Sequence, residues 1–257
     1  ALLLIRVGIA HFQREYLLGR EIDVINLRWI WKTFWLNFRG GASSIGGWYR
    51  NVLGSAFRRI LPAMFFMFLI AGVSIWMGYD WINQNVAGII AKASPEDLAK
   101  VEERVRDLPN FAEIRDSISA PFLFLNNTRA VALIFLVGLV SFSVLGILLY
   151  MVNIGLIGGV FAILQLLGIQ PWPIFMAGVA PHGIFEIPAL MIGSAVVLYI
   201  GASLVTPQTG KSMGEVIIEL LADWAKIFFG LVVPMLAIAA LIEAYITPGL
   251  LFRVMGG

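Results

Sequence analysis

The stretch from Ala130 to Phe185 contains no formally charged side chain, and it constrains the fold more than any other feature of the sequence. A hydrocarbon core about 30 Å thick is crossed by roughly 20 apolar helical residues, so the part up to Gly168 is already too long for one crossing. The chain must therefore fold back within this stretch. We expect the fold-back between Tyr150 and Asn153.

The composition supports a membrane protein along most of the chain. Hydrophobic residues make up 60% of the sequence and charged residues 13%, which is far from the soluble average. The sequence therefore predicts an all-α fold, a polytopic bundle of five transmembrane helices. The five spans are expected at Ile60 to Met77, Ala130 to Tyr150, Met151 to Gly168, Gly183 to Val205, and Ile227 to Ile246.

The segment before the first span, residues 1–59, is neither a clean span nor a soluble domain. Ile22, Ile25, Trp29 and Leu36 recur at roughly helical spacing among basic residues. This pattern is typical of amphipathic helices that lie in the membrane interface, and we expect helix over residues 8–38. We divide the chain into this cytoplasmic, interfacial segment and a transmembrane domain over residues 60–257.

The loop over residues 78–129 has a helix start of its own. Ser94, Pro95, Glu96 and Asp97 supply a capping hydroxyl, a proline in the first turn and two acids that complement the helix dipole. The sequence therefore predicts a short helix in this loop.

The distribution of Lys and Arg predicts the orientation of the chain. Nine basic residues precede Ile60 against three acidic ones, whereas residues 78–129 carry six basic and eight acidic residues. Because Lys and Arg are retained on the cytoplasmic side, we expect a multi-pass protein of the inner cell membrane with a cytoplasmic N-terminus, an extracytoplasmic 78–129 loop and an extracytoplasmic C-terminus. Four tryptophans near the expected span ends agree with this topology: Trp76, Trp81, Trp172 and Trp224.

Glycines in the second and third spans suggest close helix packing. Gly155 and Gly159 form a GxxxG pair, which lets two helix backbones approach in lipid. In the second span Gly138 and Gly146 are eight residues apart with the bulky Phe142 midway between them, so only the third span has the proper motif. Gly138 with Ser141, one turn on, is expected to pack in the same way more weakly. These contacts are expected within the bundle, or between copies in a homo-oligomer.

The most informative polar residues are His182 and Glu186, which share a helix face in an otherwise uncharged region. Glu243 is the other charge expected well inside a span. Both carboxylates are expected about 5 Å below the outer boundary of the membrane, so the topology predicts one polar cluster. Its members are expected to be Asn126, Asn127, His182, Glu186 and Glu243, joined by at least one hydrogen bond between different helices.

Asn153 is expected to lie outside this cluster, near the cytoplasmic side. Pro181, Gly183 and Pro188 are expected to break the helix that carries the cluster. The residues themselves leave three roles open for the cluster: a structural polar contact, a proton or ion site, or chemistry.

Several classes of function are excluded by the residue inventory. The chain has no cysteine, so it holds no disulfide, thiolate zinc site or iron–sulfur cluster. Its two histidines are too far apart for an HExxH metalloprotease, and no GxSxG, P-loop or dinucleotide motif is present. We therefore predict no catalytic residue, no metal ligand and no cofactor. A formal net charge of +2 gives no reason to expect a nucleic-acid partner.

Four pieces of sequence occur in one order along the second half of the chain. They are Asn126-Asn127-Thr128, then Asn153-Ile154-Gly155 with Gly158-Gly159, then Pro181-His182-Gly183 with Glu186, and finally Ile242-Glu243-Ala244 with Thr247-Pro248. In these pieces the stretch from Asn126 to Pro248 resembles the stage II sporulation protein M family of membrane proteins. In sporulating bacteria the resemblance implies a membrane scaffold that works with peptidoglycan-remodelling enzymes during engulfment. In other organisms it implies a membrane subunit.

The leading interpretation is thus a non-catalytic scaffold subunit of a cell-envelope complex, whose partners are the lipid bilayer and other membrane or envelope proteins. The alternative is a permease-like subunit of an ABC-type exporter, in which residues 1–59 contact a cytoplasmic ATPase. A third alternative is an intramembrane hydrolase.

Overall fold

The computed structural model describes residues 26–90, 92, 94, 96, 119–206 and 210–254, and every regular element in these ranges is helical. Apart from Ser94 and Glu96, the predicted loop helix that starts at Ser94 lies outside the described residues, and so does the N-terminal segment before Asn26. The elements are α1 Leu27–Arg39, α2 Ile45–Ile90, α3 Ala120–Val140, α4 Val144–Leu166, α5 Pro171–Gly178, α6 Ala180–Val205, α7 Met213–Tyr245 and α8 Thr247–Val254.

Five of these helices are long and apolar enough to cross a membrane, namely α2, α3, α4, α6 and α7. The predicted class, an all-α polytopic bundle with five candidate spans, is therefore confirmed. Helices α2 and α7 each contain one wider turn of π-helix, at Trp48–Leu53 and at Phe228–Val232. The core between the spans is filled by fully buried side chains such as Met67, Tyr150 and Leu236.

The predicted fold-back at Tyr150 to Asn153 is wrong, because the chain reverses at Ser141–Ser143 between α3 and α4. Phe142 and Ser143 have φ angles of 50° and 73°, which turns the backbone sharply without glycine or proline. The Ser141 hydroxyl donates to the Val137 carbonyl at 2.7 Å and accepts from the Leu145 N–H at 3.0 Å. One serine thus satisfies backbone groups at the end of α3 and the start of α4.

Tyr150 instead lies in the interior of α4. Its hydroxyl donates to the Met67 carbonyl of α2 at 3.2 Å, and its side chain is fully buried.

The helices of the other spans are longer than expected from hydropathy. Helix α2 extends beyond Ile60 and Met77 at both ends, and α7 begins at Met213, well before the expected start at Ile227. Helix α6 begins at Ala180 with Pro181 in its first turn. It continues through Gly183 and Pro188, so the prediction that these two residues break the helix is wrong.

Helices α2 and α4 make the most extensive contact among the described helices, and glycine makes it possible. A Cβ added at Gly158 would overlap the Ile75 carbonyl oxygen, and one added at Gly78 would overlap the Gly155 carbonyl oxygen. Gly159 is looser, since its nearest neighbour would be an Ile82 side-chain carbon at 3.5 Å. Gly155 and Gly158, rather than Gly155 and Gly159, therefore form the tight contact.

Gly138 and Gly146 face each other across the α3–α4 hairpin. A Cβ on Gly146 would lie 2.9 Å from the Gly138 Cα and 2.7 Å from the Ile134 carbonyl oxygen. The two glycines were expected to lie in one continuous span. They instead allow the two helices to approach closely just beyond the turn.

The N-terminal helix α1 is amphipathic and short. The Asn26 side chain caps its start by accepting from the Trp29 N–H at 3.0 Å, and Gly40, at φ 56°, ends it. Helix α1 packs against α7, while Trp31 and Trp35 remain exposed.

Three of the four tryptophans expected at span ends are exposed, with 63%, 61% and 59% of their surface accessible for Trp76, Trp81 and Trp172. Trp224 differs, because it stacks on Phe135 inside the bundle with the ring centroids 3.9 Å apart.

Candidate functional site: a polar cluster at one end of the bundle

His182, Glu186 and Glu243 converge where the first turns of α6 meet the end of α7. The imidazole nitrogen and one carboxylate oxygen from each glutamate all lie within 4.8 Å of one another. His182 and Glu186 are one turn apart on the same face of α6, and Glu243 approaches from the other helix. The cluster therefore joins two spans that are distant in sequence.

The His182 ring has a different neighbour at each nitrogen. Its Nδ1 lies 3.2 Å from the Thr247 hydroxyl oxygen, and its Nε2 lies 3.9 Å from the Glu186 Oε2. The first distance is a hydrogen bond and the second is too long for one. Both His182 and Thr247 are buried, with 9% and 5% of their surface exposed. Thr247 therefore orients the imidazole so that Nε2 faces the carboxylates.

The corner between α7 and α8 brings Thr247 onto the histidine. Helix α7 ends at Tyr245 and α8 begins at Thr247, so the chain changes direction within two residues. Helix α8 then lies along α5, where a Cβ on Gly178 would meet a Leu251 methyl carbon at 2.9 Å. The small residue at Gly178 thus lets α8 pack close to α5.

The two asparagines expected in the cluster do not join it. Asn126 is exposed and Asn127 is half-buried in α3, and within the described ranges neither amide hydrogen-bonds to His182, Glu186 or Glu243. The hydrogen bond that does join different helices is the one from His182 to Thr247. Thr247 is neutral and follows the last span, so the positions of the charged residues could not predict that it joins the cluster.

Asn153 also lies outside the cluster, but its position differs from the expectation. It lies near the middle of α4 rather than at a turn on the cytoplasmic side, and it is exposed on the outer face of the bundle. Its amide nitrogen donates to the Leu149 carbonyl of its own helix at 2.8 Å.

The composition of the cluster determines what it can do. Two carboxylates and one imidazole face each other, and among the described residues no Lys or Arg forms an ion pair with either glutamate. Two unpaired carboxylates this close repel each other unless a cation or a proton lies between them. The arrangement is therefore suited to holding a positive charge, through one nitrogen and two carboxylate donors.

A second charged cluster, which was not among the residues predicted from the sequence, lies toward the other end of α7. The Asp223 carboxylate binds the Arg59 guanidinium at 2.6 Å and the Lys226 ammonium at 2.7 Å. Lys226 is 7% exposed, so this charge is buried inside a span that was expected to begin only at Ile227. The three-residue spacing of Asp223 and Lys226 within an apolar helix was the available signal.

This charged cluster borders a groove of about 370 Å³, whose lining includes Asn37 of α1 and Lys211 and Glu219 beside Asp223. Lys211 pairs with Glu219 at 2.6 Å. The groove is therefore polar and carries both signs of charge.

The five apolar helices and the polar cluster at their end define the class of the protein, a membrane-embedded helical bundle with a partly buried acidic and histidine site. The family model for Stage II sporulation protein M matches residues 62–248, and the chain belongs to that family. The matched range contains all five residues of the predicted cluster as well as Thr247. No curated protein and no solved structure matches the chain.

Proposed function

We propose that the protein is a non-catalytic membrane subunit that holds other membrane proteins together in a cell-envelope complex. Membership of the Stage II sporulation protein M family, which is not a known enzyme family, supports this proposal. The observation that carries it is the position of Asn153 on the outer face of the bundle.

Asn153 interrupts an apolar surface near the middle of a span. Exposed side chains around it on α4 include Leu148, Val152, Leu156 and Val160, which are suited to lipid or to another helix. An amide facing hydrocarbon at this depth is unfavourable, because only one of its groups is satisfied by the Leu149 carbonyl. An amide that meets a polar side chain of another membrane helix has no such penalty. We infer that this face of α4 binds a membrane-spanning helix of another subunit.

The test is to replace Asn153 by Leu and measure what remains bound after mild detergent extraction. An interhelical hydrogen bond of about 1–2 kcal/mol predicts that Asn153→Leu weakens the association about fivefold to thirtyfold. Native gels and quantitative mass spectrometry of the purified complex measure the retained subunits.

Asn83→Leu is the matched control for this variant. Asn83 also donates to the carbonyl four residues before it, Tyr79, at 3.0 Å, but it lies near the end of α2. The control should keep its partners, and an unchanged complex in Asn153→Leu would contradict the proposed binding face.

The second candidate function is a permease-like subunit of an ATPase-driven exporter. The observation that favours it is the mixed-charge groove between α1 and α7, which gives a cytoplasmic chain a place to bind beside an amphipathic helix. Copurification of a nucleotide-binding chain that is released by Asp223→Asn would favour the exporter. Copurification of envelope proteins that survives this substitution would favour the scaffold.

A further inference from the structure

We propose that His182 Nε2, Glu186 and Glu243 bind one divalent transition-metal ion, with zinc as the first candidate, and that Thr247 positions the histidine for it. This inference goes beyond the scaffold function and stands whether or not that proposal holds.

The distances are close to those of a metal site. Zinc binds imidazole nitrogen and carboxylate oxygen at about 2.0–2.2 Å, so two ligand atoms on a tetrahedral ion are about 3.3 Å apart. The His182 Nε2 and the Glu186 Oε2 are 3.9 Å apart, and the ligand atoms of all three residues lie within 4.8 Å of one another. The three atoms are therefore within about 1.5 Å of the spacing that one ion requires, and both glutamates reach the site through flexible side-chain torsions.

The surroundings of His182 are those of a ligating histidine. Metal-bound histidines use the second ring nitrogen in a hydrogen bond that fixes the ring, and the Thr247 hydroxyl takes that place at 3.2 Å. The other nitrogen points at the carboxylates and makes no hydrogen bond to a described residue. His182 is about nine-tenths buried, yet Nε2 is not among the fully buried unpaired polar atoms of the described residues, so this nitrogen is open to a ligand.

The charge of the site favours a cation. Two glutamates converge with no Lys or Arg paired to them in the described part of the chain. The Lys226 ammonium of α7 and the Arg59 guanidinium of α2 pair with Asp223 at the other cluster, and Lys226 lies roughly 17 residues or about 25 Å along α7 from Glu243. A divalent ion neutralises both carboxylates and ties α6 to α7 at the same time.

The donor set selects among metals. One imidazole nitrogen with two carboxylate oxygens suits zinc and its first-row neighbours, whereas calcium and magnesium prefer oxygen ligands alone. Three protein ligands leave a fourth position for water or for a group of a partner. Glu186 has 32% of its side chain exposed, so the site is open to water or to a partner on that side.

The test uses the full chain in detergent, stripped with a chelator and then dialysed against Zn²⁺. Elemental analysis should find about one zinc per chain, and zinc-edge X-ray absorption should show nitrogen and oxygen donors that include imidazole. Substitution by Co²⁺ should give the visible absorption of a four-coordinate ion. A wild-type protein that takes up no metal would overturn the proposal in favour of a proton shared by the carboxylates. Zinc-edge spectra without an imidazole donor would overturn the assignment of His182 as a ligand.

Variants give an independent measurement. Glu243→Gln removes one ligand with little change of shape and should weaken zinc binding at least about tenfold, and Thr247→Val should weaken it about tenfold to a hundredfold while leaving all three ligands in place. Glu219→Gln is the control, because Glu219 pairs with Lys211 in the other polar region and should bind zinc as the wild type does. Equal zinc affinity in all four proteins would contradict the assignment, and the wild-type spectra decide the question should a variant fail to fold.

Discussion

Gly158 and Gly159 are neighbours in sequence, yet they have opposite tolerance for a side chain. A methyl group at Gly158 would overlap the Ile75 carbonyl oxygen and lie 3.0 Å from the Tyr79 nitrogen, both of which are backbone atoms that cannot rotate away. We therefore expect Gly158→Ala to separate α2 from α4 and to lower the free energy of unfolding by about 1–3 kcal/mol. Gly159→Ala meets only ordinary contacts and gains helix propensity, so it should be neutral or stabilising. Unfolding in mixed detergent micelles measures both variants, and equal stabilities would contradict the contact.

Tyr150 supplies a hydrogen bond between the same two helices. Its hydroxyl donates to the Met67 carbonyl, and no other part of the side chain is polar. Tyr150→Phe should therefore lower the free energy of unfolding by about 0.5–1.5 kcal/mol without changing the packing. Tyr245→Phe, at a residue 69% exposed, is the control and should have no effect. A Tyr150→Phe protein as stable as the wild type would show that the bond contributes nothing.

The candidate site shows which kinds of residue a sequence reveals. His182, Glu186 and Glu243 stood out because each is polar within a long apolar stretch, and topology then placed the two glutamates at one level. Thr247 could not be found this way, since threonine is common in membrane helices and its role depends on the corner between α7 and α8. Asn126 and Asn127 were expected in the cluster on depth alone, but depth does not say which face of α3 a side chain occupies.

At the scale of secondary structure elements, the turn between α3 and α4 gives a further prediction. Phe142 has φ 50°, a conformation that costs a non-glycine residue about 1–2 kcal/mol, and its side chain is 51% exposed. Phe142→Gly removes this strain at little loss of packing, and we expect it to raise the free energy of unfolding by about 1 kcal/mol. Phe142→Val should lower it, because a β-branched residue is disfavoured there. The ratio of folded to unfolded protein in a detergent titration measures the stability of both variants. A Phe142→Val protein that is more stable than the wild type would contradict the turn geometry.

The same turn explains why one fold-back was misplaced. No charged residue, glycine or proline lies between Val140 and Val144 to mark the reversal. The polar signal that does exist is the pair Ser141 and Ser143, whose hydroxyls bond to the backbone. The number of spans and the existence of the fourth and fifth spans could be predicted from charge and from the length of the apolar stretches. The position of the turn depends on local backbone contacts, which composition does not encode.

At the scale of the whole molecule, the two polar clusters lie about one membrane thickness apart. Asp223 and Glu243 are separated by roughly 20 residues of α7, which is about 30 Å along a helix and equals the thickness of a hydrocarbon core. The apolar region between the clusters is therefore the part expected to lie in lipid. Arg59, Asp223 and Lys226 would then be near one membrane surface, and His182, Glu186 and Glu243 near the other.

The basic residues predict which membrane surface is cytoplasmic, and this gives the last prediction. Arg28, Lys32 and Arg39 of α1 lie on the side of the Asp223 cluster, because α1 packs against the first half of α7. Since Lys and Arg are retained in the cytoplasm, this side should be cytoplasmic and the glutamate cluster should face outward.

The chain has no native cysteine, so the labelling of a single introduced cysteine reports the position of that residue alone. A membrane-impermeant thiol reagent added to intact cells should label Gln170→Cys, in the exposed connection between α4 and α5, and should label Arg39→Cys only after the cells are opened. The opposite labelling pattern would show that the protein has the inverse orientation, with the candidate metal site on the cytoplasmic side.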